Sequence, residues 1–350
     1  MASATIQGDY PEPSLQMKQI TLSVLALISL SLAIRPLAAD TSLMAAKEHP
    51  FQCGVDGFTV SDASQALGRR TADRRAQTIL EAMRSSGGFD RLITAMESAG
   101  VLGTLAGDGP YTLFAPRNEA FAALPDATFA KLCKPKNRDA LASIVRYHLV
   151  SGSVLARDAV SRARLDTLNG QRVGIVRAND DAPIRVGDGQ IVGADILCSN
   201  GVIHMVDRVL LPNTTDLVRT VASAGSFRSF AAALKAGGLV GTLKGQGPFT
   251  VFLPTDEAFA ALPTGTLREL LEPAGKERLT RILKAHVVRG RLFSDQVLRA
   301  GAVSSLHGSP IEVRSEGDTI LVGNGELVDA DVQASNGVIH IIDAVLLPNN

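Results

Sequence analysis

The sequence predicts an α+β fold built twice in tandem, with helices early and a turn-rich sheet late in each copy. The string NGVIHMVDRVLLP at 200–212 returns as NGVIHIIDAVLLP at 336–348, and YTLFAPRNEAFAALP at 111–125 returns as FTVFLPTDEAFAALP at 249–263. Asn-Gly, His and Asp hold their places while neighbours drift, which marks a duplicated structural unit. Apolar residues at helical spacing fill the first part of each unit, and Asn-Gly or Asp-Gly pairs between short apolar alternations fill the last.

The N-terminus comes first. Residues 20–34, ITLSVLALISLSLAI, form an uncharged apolar run followed by RPLAAD, so residues 1–39 read as a signal peptide cleaved near Ala39. The run is shorter than the ~20 residues a spanning helix needs. Export is therefore expected, to the periplasm or the extracellular space. Asp9 and Glu12 suit a leader poorly, and Met17, followed by Lys18, is the better start. Residues 40–75 show no sustained periodicity and read as a loosely ordered lead-in. The closing LLPNN lacks a hydrophobic tail, so no stable membrane anchor is expected in the mature chain.

The first unit is assigned to 76–212, a linker to 213–215 and the second unit to 216–350. YHLVSG at 147 and AHVVRG at 285 keep the same offset as the earlier motif, while the closing motif has lost two residues of offset, which the polar stretch RANDDAPIRVG at 177–187 absorbs as a surface loop. The linker is too short for independent domains, so a fixed or hinge-limited arrangement is expected. FDRLITAMESAG places Phe89, Leu92, Ile93 and Met96 on one helical face and ends at Gly100; FRSFAAALKAGG does the same with Phe227, Phe230 and Leu234, ending at Gly237. A β run follows, Thr112–Ala115 or Thr250–Leu253, stopped by Pro116 or Pro254. NEAF and TDEAF then open a capped helix with Glu119 or Glu257 in its first turn. RDALASIVRYHLV and KERLTRILKAHVV read as a helix running into a strand. Asn169-Gly170, Asp188-Gly189, Asn200-Gly201, Asn324-Gly325 and Asn336-Gly337 are hairpin-turn dipeptides.

With these motifs in order, twice, the chain resembles the fasciclin domain, also called the beta-ig-h3/fasciclin domain, over about three quarters of its length. The residues that carry the resemblance are Phe114, Pro116, Asn118, Phe121, Tyr147, His148, His204 and Asp207 in the first copy. In the second they are Phe252, Pro254, Asp256, Phe259, His286, His340 and Asp343. The resemblance implies a wedge-shaped, seven-stranded β-sandwich with helices packed along one side. It also implies a non-catalytic, secreted or surface module binding proteins, matrix or carbohydrate, with those residues structural or adhesive. The copies depart from each other at two points: Arg117-Asn118 stands where the second has Thr255-Asp256, and Ala285 where the first has Tyr147.

Alternation in GVIHMVD puts Val202, His204 and Val206 on one face and Ile203, Met205 and Asp207 on the other. The histidine shares its face with two valines, which argues for a buried imidazole locking sheet to helix. A metal pair of His148 with His204, or His286 with His340, completed by Asp207 or Asp343, is disfavoured because the aspartate points away and no HxH, HxxxH or CxxC spacing occurs. No metal and no cofactor is expected. Of three cysteines, Cys198 matches Ala334, Cys133 matches Leu271 and Cys53 has no counterpart. A Cys53–Cys198 bridge is favoured, with Cys133 a buried free thiol; a Cys133–Cys198 bridge is the competing pairing.

Enzyme templates fail: GxSxG, GxxxxGK[ST] and HExxH are absent. GDGQIVG at 187 lies among hairpins and reads as a turn. Lys plus Arg and Asp plus Glu are both 35, so no net field draws the chain to nucleic acid. The basic loop KLCKPKNR at 131–138 reads as solvated. The expected function is adhesion to extracellular proteins, matrix or carbohydrate. The alternative is a periplasmic or extracellular carrier of a small apolar or anionic ligand, which a concave apolar pocket would favour. The Asn213-Thr214-Thr215 sequon is usable only along a eukaryotic secretory route.

Overall fold

A computed structural model of the chain describes residues 77–107, 109–124, 128–245 and 247–348. The segments expected to be a signal peptide and a lead-in, and Cys53 with the favoured bridge, lie outside the described residues. The first copy runs α1 (Ile79–Ser86), α2 (Asp90–Ala99), α3 (Leu102–Leu105), β1 (Tyr111–Pro116), α4 (Asn118–Ala122), α5 (Thr128–Leu132), α6 (Arg138–Tyr147), β2 (Leu149–Ser151), α7 (Ala156–Arg162), β3 (Arg164–Asp166), β4 (Arg172–Val176), β5 (Arg185–Val186), β6 (Gly189–Cys198) and β7 (Gly201–Val206). The second repeats the order: α8 (Leu217–Ser223), α9 (Arg228–Ala236), α10 (Val240–Lys244), β8 (Phe249–Pro254), α11 (Asp256–Ala260), α12 (Thr266–Leu271), α13 (Lys276–Ala285), β9 (Val287–Arg289), α14 (Ser294–Ala300), β10 (Ala302–Ser304), β11 (Pro310–Glu316), β12 (Thr319–Val322), β13 (Gly325–Ala334) and β14 (Gly337–Ile342).

Each copy holds one seven-stranded sheet, ordered β2-β1-β7-β6-β5-β4-β3 in the first and β9-β8-β14-β13-β12-β11-β10 in the second. The first and last strands of a copy pair in parallel at its centre, and the other ladders are antiparallel. Alternation along β1 sends Leu113 and Ala115 to a core shared with α1, α2 and α6, and Phe114 to a second core with Val150, Val173, Ile175 and Val206. The sheet therefore folds back over itself. The bend falls in β6, whose pairing with β7 shifts register twice between Ile191 and Ile196, and in β13, which does the same between Leu327 and Val332. The sandwich is thus a single sheet closed on its own far strands, with helices on the outer face of its central pair.

Local chemistry sets the ends of these elements. Thr78 and Glu81 form a reciprocal capping box on α1. Helix α2 stops at Gly100, left-handed at φ 70°. In the second copy the left-handed residue is Gly238 rather than Gly237; a Cβ on Gly237 would run into the Leu283 side chain, so that glycine serves helix packing. Thr255 caps α11 by accepting from the Ala258 N–H at 3.2 Å. Arg117 offers α4 no such bond, and its guanidinium pairs with Glu119 at 3.5 Å. The capped start read from both motifs is therefore real only in the second.

The hairpins correct the reading of four Asn-Gly and Asp-Gly pairs. Cys198 faces Gly201 and Ala334 faces Gly337, so the two-residue loops are Ser199-Asn200 and Ser335-Asn336; likewise Val186 faces Gly189 and Val322 faces Gly325. The glycine begins the next strand instead of turning the chain. At Gly201 and Gly337 the reason is the parallel neighbour: a Cβ would strike the backbone oxygen of Tyr111 or Phe249. The asparagine, meanwhile, is a clamp. Asn200 Oδ1 accepts from the Ile79 N–H at 2.8 Å and its Nδ2 donates to Leu105 O at 2.8 Å; Asn336 binds Leu217 N–H at 3.0 Å and Leu243 O at 2.7 Å in the same way.

Cys133 is half-buried near the end of α5, not fully buried as its apolar match suggested. The matching Leu271 is itself 38% exposed, because that side of the helix faces outward. Replacing Asn336 by alanine leaves the Leu217 N–H and the Leu243 carbonyl unpaired and should cost about 1–3 kcal/mol, read as a lowered guanidinium midpoint at unchanged slope.

Candidate interaction surfaces and the buried motif residues

Four histidines occupy two kinds of place, and each place recurs in both copies. His148 follows α6. Its Nε2 accepts from the Leu210 N–H at 2.9 Å, so Nδ1 carries the proton and donates to Ile144 O at 2.8 Å. His286 does the same with Leu346 at 2.9 Å and Ile282 at 2.8 Å. Each ring ties the end of a helix to the segment that closes its copy. Burial pushes both pKa values down to about 4, against a smaller upward pull from the helix carbonyl.

His204 and His340 lie on the last strands, directly opposite Phe114 and Phe252 in register, with ring centroids 5.5 Å apart in both pairs. Their Nε2 donates to Val154 O or Leu292 O at 2.8 Å, and their Nδ1 accepts from the backbone of Asp195 at 3.4 Å or Asp331 at 3.3 Å. Burial lowers both pKa values. Asp207 and Asp343 point elsewhere: their Oδ1 accepts from Gln190 N–H at 2.7 Å and Glu326 N–H at 2.6 Å, holding the start of β6 or β13. Among the described residues, no group of three His, Cys, Asp or Glu is placed to hold a metal ion.

The remaining motif residues join elements in the same fashion. Asn118 accepts from Arg91 N–H at 3.1 Å and Asp256 from Ser229 N–H at 2.8 Å, so each caps the neighbouring helix, α2 or α9. Burial works to raise the Asp256 pKa, but its N–H bonds from Ser229 and Arg228 outweigh that and hold it below the ordinary value. Pro116 and Pro254 are buried at the ends of β1 and β8. Phe121 and Phe259 pack in the helical cores, and Tyr147 is buried with its hydroxyl 3.4 Å from Arg172 O. The structure spreads these residues through two cores and gathers them into no shared surface.

Residues the motifs did not flag do comparable work. Thr112 Oγ1 donates to Gly152 O at 2.7 Å and accepts from Val154 N–H at 2.8 Å, and Thr250 repeats both bonds one copy later at 2.8 and 2.9 Å. Asp195 and Asp331 sit at the bend with φ 57° and 63°, and their carboxylates accept from the first turns of α7 and α14, at Ala156 N–H and Ser294 N–H. The signal was present, since all four recur at the offsets of the repeat.

A junction joins the two copies. Gln171 exchanges two hydrogen bonds with the backbone of Asn213, at 2.8 and 2.9 Å, and Gln333 does the same with the backbone of Arg172, at 2.6 and 3.0 Å. The Arg172 guanidinium reaches Asp166 at 2.5 Å and Asp295 at 2.6 Å and lies 4.0 Å over the Phe293 ring. Its hydrogen bond holds the Asp295 carboxyl below the usual carboxylate range. Arg164 adds a pair to Asp331 at 2.9 Å. The Asn213 side chain is itself engaged, with Nδ2 donating to Gln333 O at 2.7 Å.

Two outcomes follow. In the unfolded chain His148 and His286 take a proton near pH 6.5, whereas in the folded chain they resist it to about pH 4. Stability is therefore complete above about pH 6.5 and falls as pH drops towards 4, by about 3 kcal/mol for each of these two histidines; denaturant titrations across this range should show the slope, and a His148→Gln, His286→Gln variant should lessen it, leaving the share of His204 and His340. Arg172→Ala removes the cation from Asp295 and Phe293, and should cost about 1–3 kcal/mol. Calorimetry should then resolve two transitions where the parent chain shows one.

Among the described residues, no helix is long and apolar enough to cross a membrane. The fasciclin domain profile matches residues 87–212 and 225–348. The transforming growth factor-beta-induced protein ig-h3 of Sus scrofa is 29% identical over 70% of this chain and 36% of its own length, so the chain spans about a third of that relative. Protein sll1483 of Synechocystis is 42% identical over 41% of this chain and 79% of its own length. A FAS1 domain pair from the insect cell adhesion molecule fasciclin I aligns with 75% of this chain and 97% of its own, at 18% identity and TM-score 0.37. Two matched segments, each coinciding with one seven-stranded copy, make this chain a member of the fasciclin domain family.

Proposed function

We propose that the chain is an exported, non-catalytic interaction protein that adheres to extracellular proteins, matrix or carbohydrate through its paired fasciclin domains. One observation carries this reading. The motif residues are spent on internal hydrogen bonds and core packing, while two apolar residues are turned outward at matching places in both copies: Val192 and Val328 are 52% and 60% exposed, Leu211 and Leu347 53% and 54%. A single exposed aliphatic residue is ordinary, but the same two kept outward in both copies suit a two-point attachment, in which the second contact is intramolecular and adds avidity. Family membership supports the adhesive class, and the apolar run at 20–34 supports export.

The mature chain, labelled and added back to washed cells and matrix of its own host, should be retained. Val192→Asp combined with Val328→Asp should lower retention about tenfold, the loss of a modest interface anchor, and retention unchanged in that variant would refute the assignment. Native mass spectrometry of the secreted fraction should give an apo mass lacking the leader. A small molecule bound at one per chain would instead favour the ligand-carrier alternative.

A further inference from the structure

The second copy gathers cations at a place where the first is mostly neutral. Along α13 and β9 stand Arg278, Arg281, Lys284 and Arg289, and the turn between β10 and β11 adds His307; the matching places in the first copy hold Ala140, Ser143, Arg146, Ser151 and Asn169. The acidic Asp166 of the first copy is replaced by Ser304 in the same neighbourhood. Three contacts bring the five together. Arg278, Arg281 and Lys284 follow one another along α13 at three-residue spacing, a rise of about 4.5 Å per step. The His307 N–H donates to the Lys284 carbonyl at 3.2 Å, and in the first copy Asn169 Nδ2 reaches Ser143 Oγ at 3.5 Å, which sets the matching positions of His307 and Arg281 side by side. Arg289 and His307 line one open hollow of about 480 Å³ together with Ser304 and Gly308, and no acidic residue lines it. Arg278, Arg281, Lys284 and Arg289 are exposed, and among the described residues none of the four enters an ion pair.

In the first copy this end of the sheet is already an interface. Asp166 holds Arg172, which reaches Asp295, and Gln171 binds the backbone of Asn213. The second copy has Ser304, Ser309 and Pro310 at those places, so it has lost the joint-forming set while the surface around it has turned basic. We infer that this basic face of the second copy binds an acidic polysaccharide, a linear chain carrying carboxylate or sulfate groups on its sugar units. The inference rests on the interaction reading above and names the ligand class of one surface within it. Charge complementarity selects a polyanion, because unpaired guanidinium and ammonium groups at the surface raise the local concentration of anions and bond their oxygens directly. The cations are strung along a helix and onto the next strand rather than converging on one point, which suits a polymer charged at intervals better than a single small anion. A protein partner would want an apolar anchor as well. The large apolar residues exposed in this copy, Leu271, Val328 and Leu347, all lie outside 278–308. The Ser304 hydroxyl and the Gly308 backbone instead offer the hollow hydrogen-bonding groups that sugar hydroxyls can use.

The test is interferometry of the full mature chain on immobilised polygalacturonate and dextran sulfate, run beside neutral dextran and poly-L-glutamate. Saturable binding to at least one of the two acidic polysaccharides is expected, with none to neutral dextran, and the tighter of the two names the anionic group. Binding should weaken about tenfold or more between about 50 and 200 mM salt, as counterions released on contact compete back. A chain with Arg281→Ser, Arg289→Ser and His307→Asn carries the first copy's own residues at these places, so it should keep its melting temperature and bind about tenfold more weakly or worse. A second chain with Lys131→Ser, Lys134→Ser and Lys136→Ser removes as much charge from the basic loop of the first copy and should bind as the parent does. Silence towards both polysaccharides, undiminished binding in the first variant, or an equal loss in the second overturns the proposal. Poly-L-glutamate binding as tightly as the polysaccharides would reassign the face to acidic polypeptides and overturn the polysaccharide assignment. The two readings fail separately: a chain retained on matrix but silent on the polyanions loses only this site, and a chain that binds the polyanions but is not retained loses the adhesive role.

Discussion

Everything in a copy hangs on the parallel pairing of its first strand with its last. Tyr111 lies beside Gly201 and Phe249 beside Gly337, with the other strands and most helices of that copy between them in sequence. The loop-closure entropy of such a pairing is spent before any neighbouring contact repays it, so the seam must be strong once made. It is reinforced where it is most crowded. A glycine lets the backbones meet, an asparagine fastens the incoming strand to two helical segments, and a neutral histidine under a phenylalanine fills the inner face with both ring nitrogens bonded.

The bend of the long strand follows from that seam. With helices on one face of the central pair, the other face must be covered by the sheet's own far strands, and β6 or β13 has to turn sharply to bring them back. Asp195 and Asp331 accept a left-handed backbone there, at a cost of order 1 kcal/mol, and offset it by bonding the first turn of the helix that packs on the folded-over half. In the second copy the same carboxylate also receives Arg164, so one residue serves both the shape of its own sheet and the joint to its neighbour.

Period and repetition made three helices of each copy, the β runs and the burial of the strand histidines readable from the chain, because each depends on residues close in sequence; the helices Ile79–Ser86 and Ala156–Arg162 went unread. Val202, His204 and Val206 alternate with Ile203 and Met205, and no distant information is needed to see that the imidazole faces a core. Asn200 was harder. The same residue type favours a tight turn and a buried clamp, and only the position of Tyr111 against Gly201 decides between them. Gln171, Arg172 and Gln333 gave no signal at all, since their partners lie far along the chain and none of the three recurs in the other copy.

The junction divides its labour unequally. Arg164 and Arg172 belong to the first copy, and the matching places in the second are Ala302 and Pro310; Phe293 and Asp295 belong to the second, and the matching places in the first are Leu155 and Arg157. A head-to-tail contact builds an open filament only when every unit carries both halves of the lock. Here one copy keeps the key and the other the keyhole, so this joint can form only between a first and a second copy, and two first copies or two second copies cannot couple through it.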